Sequence, residues 1–253
     1  MSQTSWLDWI ARTGLELGRG LLHLVYPNVC YLCGCSLAPD AGRFCPKCEA
    51  GLFTDPCTVC PCCAGTVGPF AVIDGRCAGC RDESFPFQRV LRLGPYDGLL
   101  RDAILRMKRH HGEGLSEVLG ERWAERDRER FLALGATVAV PVPLHWRRRW
   151  QRGYNQSEAL AHGLAGRLGL PCRTRWLRRL RNTPSQTAQT PAQRRDNVRG
   201  AFSVPRGTRL AGERVLLVDD VLTTGSTCAE AARALRSAGA SWVVVAALSR
   251  AQG

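Results

Sequence analysis

Lysine is almost missing from this chain. Lys47 and Lys108 are the only lysines among 35 basic residues, so arginine carries nearly all the positive charge. No apolar run approaches the roughly 20 residues that a membrane-spanning helix needs. The first 26 residues do not read as a signal peptide, because Asp8, Arg12, Glu16 and Arg19 interrupt any apolar core. A Walker loop is absent, since no Gly-Lys-Ser/Thr triplet occurs, and so is the G-x-G-x-x-G spacing of a dinucleotide fold. The cysteine pairs lack the paired histidines of a DNA-reading finger. These absences set aside a membrane span, an exported chain, a P-loop nucleotidase and zinc-finger base readout. The expected compartment is the cytoplasm.

What is present is concentrated in three segments. The first is Val215-Leu-Leu-Val-Asp219-Asp220-Val-Leu-Thr223-Thr224-Gly225-Ser226-Thr227. Four branched apolar residues in a row predict a buried parallel strand. Two carboxylates follow at its C-terminal end, where open α/β sheets bind ligands. A loop of hydroxyls around one glycine leads into a predicted helix, Cys228–Ala238. Such a loop turns backbone N–H groups and a helix dipole toward a phosphate. The acids suit vicinal ribose hydroxyls or a hydrated Mg2+.

The second segment holds cysteine. Of 13 cysteines, 11 lie between Cys30 and Cys80. The C-x2-C pairs are Cys30/Cys33, Cys45/Cys48, Cys60/Cys63 and Cys77/Cys80, and each pair is half of a tetrahedral thiolate cage. Pairing by proximity gives two structural zinc sites, although interleaved pairing also satisfies the spacing. Cys57/Cys60 competes with Cys60/Cys63 for the third half. Cys60/Cys63 is favoured, because Ala64-Gly65 then supplies the small turn. Thirteen is odd and no export signal precedes it, so a disulfide framework is disfavoured.

The third segment, Pro141–Gln156, contains Arg147, Arg148, Arg149, Arg152 and Gly153 between a short strand, Val138–Val142, and a helix, Ser157–Leu168. It reads as a pyrophosphate clamp, or else as a solvated basic loop. The polar stretch Asn182–Ala201 reads as a mobile lid carrying Arg194, Arg195 and Arg199. Further expectations are a half-exposed strand at Gln88–Leu93, helices over Leu99–Met107 and Leu115–Leu132, and a last buried strand at Trp242–Leu248. Near the N-terminus Trp6, Ile10, Leu17, Leu21 and Leu24 form one apolar stripe of an amphipathic helix. The formal charge of +13 falls to roughly +9 if two Zn(Cys)4 sites form. That basicity is weak evidence for nucleic acid.

Together, the C-x2-C pairs, "VPVPL…RRRWQRGYNQSEALA", "RNTPSQTAQTPAQRRDNVRGAF" and "VLLVDDVLTTGST" resemble the ComF family. That resemblance implies an α/β fold: a type I phosphoribosyltransferase-like parallel sheet with helices on both faces, preceded by a small double zinc ribbon. It implies three parts, residues 1–26, 27–85 and 86–253. Carried onto this sequence, Asp219 and Asp220 contact the ribose of phosphoribosyl pyrophosphate (PRPP) with Mg2+, and Thr223, Thr224, Gly225, Ser226 and Thr227 wrap its 5-phosphate. Arg152, Arg194 and Arg195 are the candidate pyrophosphate contacts. The family's association with natural competence implies single-stranded DNA and the DNA-uptake helicase machinery as partners. Three functions follow: an active transferase, a PRPP or nucleotide sensor without turnover, and a DNA-binding competence factor on the same fold.

Overall fold

Branched apolar residues without polar interruption favour strands buried on both faces, and two such runs form the centre of this protein. The computed structural model describes residues 27–181 and 196–251. The N-terminal stripe, Arg194 and Arg195 lie outside the described residues. The chain divides into two compact units, residues 1–51 and 52–253.

In the first unit Val29 bridges Ser36 in antiparallel register around a tight turn. A short helix, α1 (Pro46–Leu52), follows. Proline at its first position costs no helical hydrogen bond.

The second unit opens with a knuckle and a two-residue hairpin, β1 (Val72–Ile73) and β2 (Arg76–Cys77). Asp74 and Gly75 both have positive φ, as an Asp-Gly hairpin turn requires. Next come β3 (Val90–Pro95), α2 (Gly98–Met107), α3 (Glu113–Arg126), α4 (Arg128–Leu132) and β4 (Val138–Pro141). The chain continues through α5 (Trp146–Arg152), α6 (Gln156–Leu168), β5 (Arg178–Arg179) and β6 (Phe202–Ser203). It closes with β7 (Arg214–Leu222), α7 (Ser226–Ser237) and β8 (Trp242–Arg250). The main sheet runs β3-β8-β7-β4, with every pair parallel. β5 and β6 make a separate antiparallel pair.

Alternation along β7 sends Val215 and Leu217 to one face, where they join Ala231, Ala232 and Leu235 of α7 in one core cluster. Leu216 and Val218 are equally buried on the other face, and α6 packs against β4 and β7 there. Helices therefore cover both faces.

Three expectations shift. The strand expected at Gln88–Leu93 is Val90–Pro95 and mostly buried. Its Arg92 is 3% exposed because Asp55 takes its guanidinium at 2.9 and 3.2 Å. The single helix expected over 115–132 is two, divided at Asp127, whose carboxylate accepts from Trp123 Nε1 at 3.1 Å. The arginine segment is not a loop. It is the helix α5, capped by the His145 side chain at one end and by left-handed Gly153 at the other.

α3 and α6 touch backbone to backbone. A Cβ on Gly163 would overlap the Glu117 carbonyl oxygen and sit 2.9 Å from Glu121 N, and a Cβ on Gly120 would overlap the Leu160 carbonyl oxygen. Backbone cannot swing aside as a side chain can. Gly163→Ala should therefore cost about 3 kcal/mol, the upper part of the usual overpacking range. The check is urea unfolding, with a lower midpoint at an unchanged slope.

Candidate functional site

The strand β7 carries Asp219 and Asp220 at its C-terminal end, both under 10% exposed. Consecutive strand residues diverge, so the two carboxylates meet different partners. Asp219 Oδ1 accepts from Ser157 Oγ at 3.1 Å and from the Asp220 N–H at 2.9 Å. Its Oδ2 lies 3.5 Å from Cys228 Sγ on α7. Asp220 Oδ2 pairs with Lys108 Nζ at 3.0 Å and accepts from Gln156 Nε2 at 3.3 Å, while its Oδ1 accepts the Val221 N–H.

Two neighbouring acids in a buried site cannot ionise equally. Burial, then the charge of Asp220, pushes Asp219 up to about 7. Burial would also raise Asp220, but the Lys108 ammonium outweighs it and holds this carboxyl below the usual carboxylate range.

After β7 the chain turns through Thr223–Gly225 into α7. Gly225 has φ +79°, a left-handed conformation that a Cβ disfavours. The first turn of α7 lines a cleft of about 440 Å3, and the Ser226 N–H donates to Thr224 Oγ1 at 3.4 Å. Thr223, Gly225, Ser226 and Thr227 line that cleft with Asp219 and Asp220. Thr224 does not line it. Its hydroxyl braces Ser226 Oγ at 2.7 Å. Arg152 and Arg148 of the arginine segment line the cleft, as do Lys108, Gln156, Ser157 and Arg179, which sequence reasoning missed. The only local signal for two of them is "NQS", the N-cap and first two residues of α6. The N-cap Asn155 accepts from the Ser157 N–H at 3.2 Å and donates to the Val142 carbonyl at 3.1 Å, which fixes Gln156 and Ser157 toward the acids.

The cysteines form two groups. Cys60, Cys63, Cys77 and Cys80 are all buried, with their sulfurs within 4.8 Å of one another. Cys57 is not among them. In the first unit the sulfurs of Cys30, Cys33, Cys35 and Cys45 meet the same limit. Cys48, also buried, shares side-chain hydrogen bonds with Cys45, Cys33 and Cys30. Five thiols thus face one four-coordinate position, and Cys35 is the one that the spacing argument passed over. All 13 cysteines are free thiols. Burial opposes ionisation of Cys30 and Cys60, but backbone N–H bonds prevail and lower them to about 6 and about 7. Soft thiolates at this spacing fit a tetrahedral metal ion such as zinc.

The knuckles repeat. Cys30 N donates to Cys35 O and Gly34 N to Cys30 O, while Cys60 N donates to Gly65 O and Ala64 N to Cys60 O. The bridges Val29–Ser36 and Val59–Thr66 match. A signal existed in the sequence: V-C-x2-C-x2-S/T occurs at Val29 and again at Val59. This register assigns Cys63 to the second knuckle.

Residues 155–252 match the family described as the phosphoribosyl transferase domain. Over 231 residues the chain is 32% identical to the DNA utilization protein YhgH of Salmonella typhi, covering 90% of this chain and 99% of that one. It is 33% identical over 179 residues to competence protein F of Haemophilus influenzae, covering 69% and 78%. The solved structure of the allosteric regulatory enzyme of purine biosynthesis is 28% identical, with a TM-score of 0.38 over 54% of this chain and 26% of that chain. With two cysteine clusters that fit a double zinc ribbon, followed by a phosphoribosyltransferase domain and relatives matched along nearly the whole length, the chain belongs to the ComF family.

Proposed function

We propose that this protein binds Mg2+·PRPP in the cleft at the end of β7, as a phosphoribosyltransferase-like protein linked to competence and DNA use. One observation carries the reading: two adjacent buried acids at a parallel-strand end lie in one cleft with the start of α7 and several arginines. Asp219 and Asp220 take the ribose hydroxyls or the hydrated metal. Amides and hydroxyls of residues 223–227 take the 5-phosphate, with Thr224 bracing the loop. Arg152 with Arg148 and Arg179 takes the pyrophosphate, joined by Arg194 and Arg195. With an acceptor bound, the reaction is displacement at the anomeric carbon. A nitrogen nucleophile forms the new bond as pyrophosphate leaves with the C–O electron pair. The cleft's part is positioning and stabilising charge on the leaving group.

Zn2+ in both cysteine groups has a structural part. Cys60, Cys63, Cys77 and Cys80 hold one ion. Cys30, Cys33 and Cys45 hold the other, with Cys48 as fourth ligand and Cys35 beside it. Four thiolates leave no open position for chemistry. The location that suits reduced thiolates is the cytoplasm, and no described helix is long and apolar enough to cross a membrane.

Isothermal titration with PRPP and Mg2+ tests the central reading, followed by a screen of bases and amines for pyrophosphate release. Saturable binding that vanishes without Mg2+ is expected. Absence of heat at millimolar PRPP would remove the reading.

Binding of single-stranded DNA is favoured by a separate observation. Trp146 and Trp150 on α5 are 64% and 84% exposed, beside Arg147, Arg148 and Arg149. The Arg147 guanidinium lies 5.2 Å from the Trp146 ring centre. Trp176, by contrast, packs on the core. Exposed indoles among arginines suit base stacking with phosphate contact. Anisotropy titration of a labelled oligonucleotide should show affinity that falls steeply with salt. Trp146→Ala with Trp150→Ala should weaken it by about 1–3 kcal/mol per stacked base. No binding at low salt would leave DNA handling to partners.

A further inference from the structure

Both carboxylate oxygens of Asp220 have protein partners. Lys108 and Gln156 occupy Oδ2, and the Val221 N–H occupies Oδ1. Lys108 is the C-cap of α2, and its side chain is 31% exposed on the cleft side.

The turn that carries it is built tightly. The Tyr154 hydroxyl donates to the Met107 carbonyl and lies 3.2 Å from the Arg109 carbonyl. Ser116 Oγ donates to the Gly112 carbonyl at 2.9 Å. A Cβ on Gly112 would overlap the Tyr154 hydroxyl and sit 2.6 Å from the Arg106 carbonyl oxygen. Tyr154 itself stands two residues before Gln156, so one short segment clamps the lysine's backbone and supplies its fellow donor to Asp220.

The residue type is informative in a chain that uses arginine almost everywhere. A guanidinium is a rigid planar fork that favours two parallel acceptors. An ammonium is a compact point charge on a flexible stem, able to pass from one oxygen to another. Lys108 Nζ lies 3.0 Å from Asp220 Oδ2.

We propose that Lys108 is the resident cation of the ligand-free site and a binding residue for the diphosphate of the ligand. This inference rests on the Mg2+·PRPP reading above. In the empty cleft Lys108 neutralises Asp220 and keeps bare metal out. When the metal-bound diphosphate ester enters, Asp220 turns to a ribose hydroxyl or a metal-bound water. Lys108 then takes a diphosphate oxygen. The transfer is favourable because one Mg2+ cancels only part of the ligand's negative charge, and two carboxylates cannot stay charged in a buried site without a nearby cation.

The test uses the full chain with Lys108→Met, which keeps the stem and removes the charge, and Lys108→Arg, which keeps the charge. PRPP·Mg2+ affinity is read by calorimetry. Binding of Mn2+ alone, without PRPP, is read by electron paramagnetic resonance. In Lys108→Met, PRPP affinity should fall about 10- to 100-fold, the range for a lost charge-assisted bond, while Mn2+ affinity should rise. Lys108→Arg should keep Mn2+ out and recover only part of the PRPP affinity. If Lys108→Met does not fold, Lys108→Gln, which keeps a donor to Asp220, is read for the same opposed shifts. Wild-type binding with an unchanged variant, in PRPP and Mn2+ alike, overturns the role of Lys108 and leaves the site's reading standing. A fall in PRPP affinity without a rise for Mn2+ overturns the resident-cation role. No PRPP binding by the wild type overturns both.

Discussion

Asp219→Asn combined with Asp220→Asn is expected to abolish measurable PRPP·Mg2+ binding. Each substitution removes a charged acceptor worth about 1–3 kcal/mol. Together they should cost a hundredfold or more in affinity, by calorimetry under conditions where wild type saturates. Asparagine keeps the volume and one acceptor oxygen, so the fold should persist. Binding also carries a pH signature. Asp219 is neutral below about 7 and charged above it, so affinity should rise as pH passes through that region, and the rise should vanish in Asp219→Asn. Stability runs the other way. The folded value lies above the ordinary 3.8, so folding favours the neutral acid, and this group's contribution declines as pH rises from about 4 through 7. On the proposed reading, the charged form that favours the ligand is the one that folding disfavours. Retained binding by the double variant would show that the ligand lies elsewhere.

Cys60→Ser should remove about one of two metal equivalents and lower the melting temperature of the second unit sharply. Structural zinc binding contributes on the order of 10 kcal/mol in small metal-stabilised domains. The loss should spread beyond the cluster because the knuckle is joined to the sheet. The Cys62 carbonyl accepts from the Val90 N–H at 3.1 Å, and the Cys63 carbonyl accepts from the Arg250 guanidinium. Arg92 reaches the Ala64 carbonyl at 3.0 Å and Thr66 Oγ1 at 2.9 Å. Phe85 and Phe87, stacked at 4.7 Å just after the cluster, lie about 4 Å from where a Cβ on Gly225 would sit. PRPP affinity should therefore weaken along with metal content. Elemental analysis and calorimetry on the same preparation check both. Iron in place of zinc, or full metal content in the variant, would count against the ligand assignment.

Much of this was legible in the chain itself. The strand around Val215–Val218, its terminal acids and the glycine-centred loop lie within thirteen consecutive residues, so backbone propensity and spacing suffice to read them. The C-x2-C halves are equally local, and Cys60/Cys63 followed from the small residues after them. Other features depended on residues far apart in sequence. Lys108 meets Asp220, and Ser157 meets Asp219, only because parallel crossovers bring helix ends to one edge of the sheet. Arg92 reads as the polar side of a half-exposed strand until Asp55 pairs with it. The arginine segment reads as a loop because its cap, His145, is an unusual one. Cys35 joins the first cluster through the turn of the knuckle, outside the C-x2-C rule. Gly120 and Gly163 look like ordinary helix weaknesses until two backbones meet there. Short-range preferences are written in neighbouring residues, so sequence alone determined most of the elements and where the acids, the hydroxyls and the C-x2-C pairs fall along them. Which distant charges neutralise one another depends on packing and desolvation, and only the tertiary structure decided that.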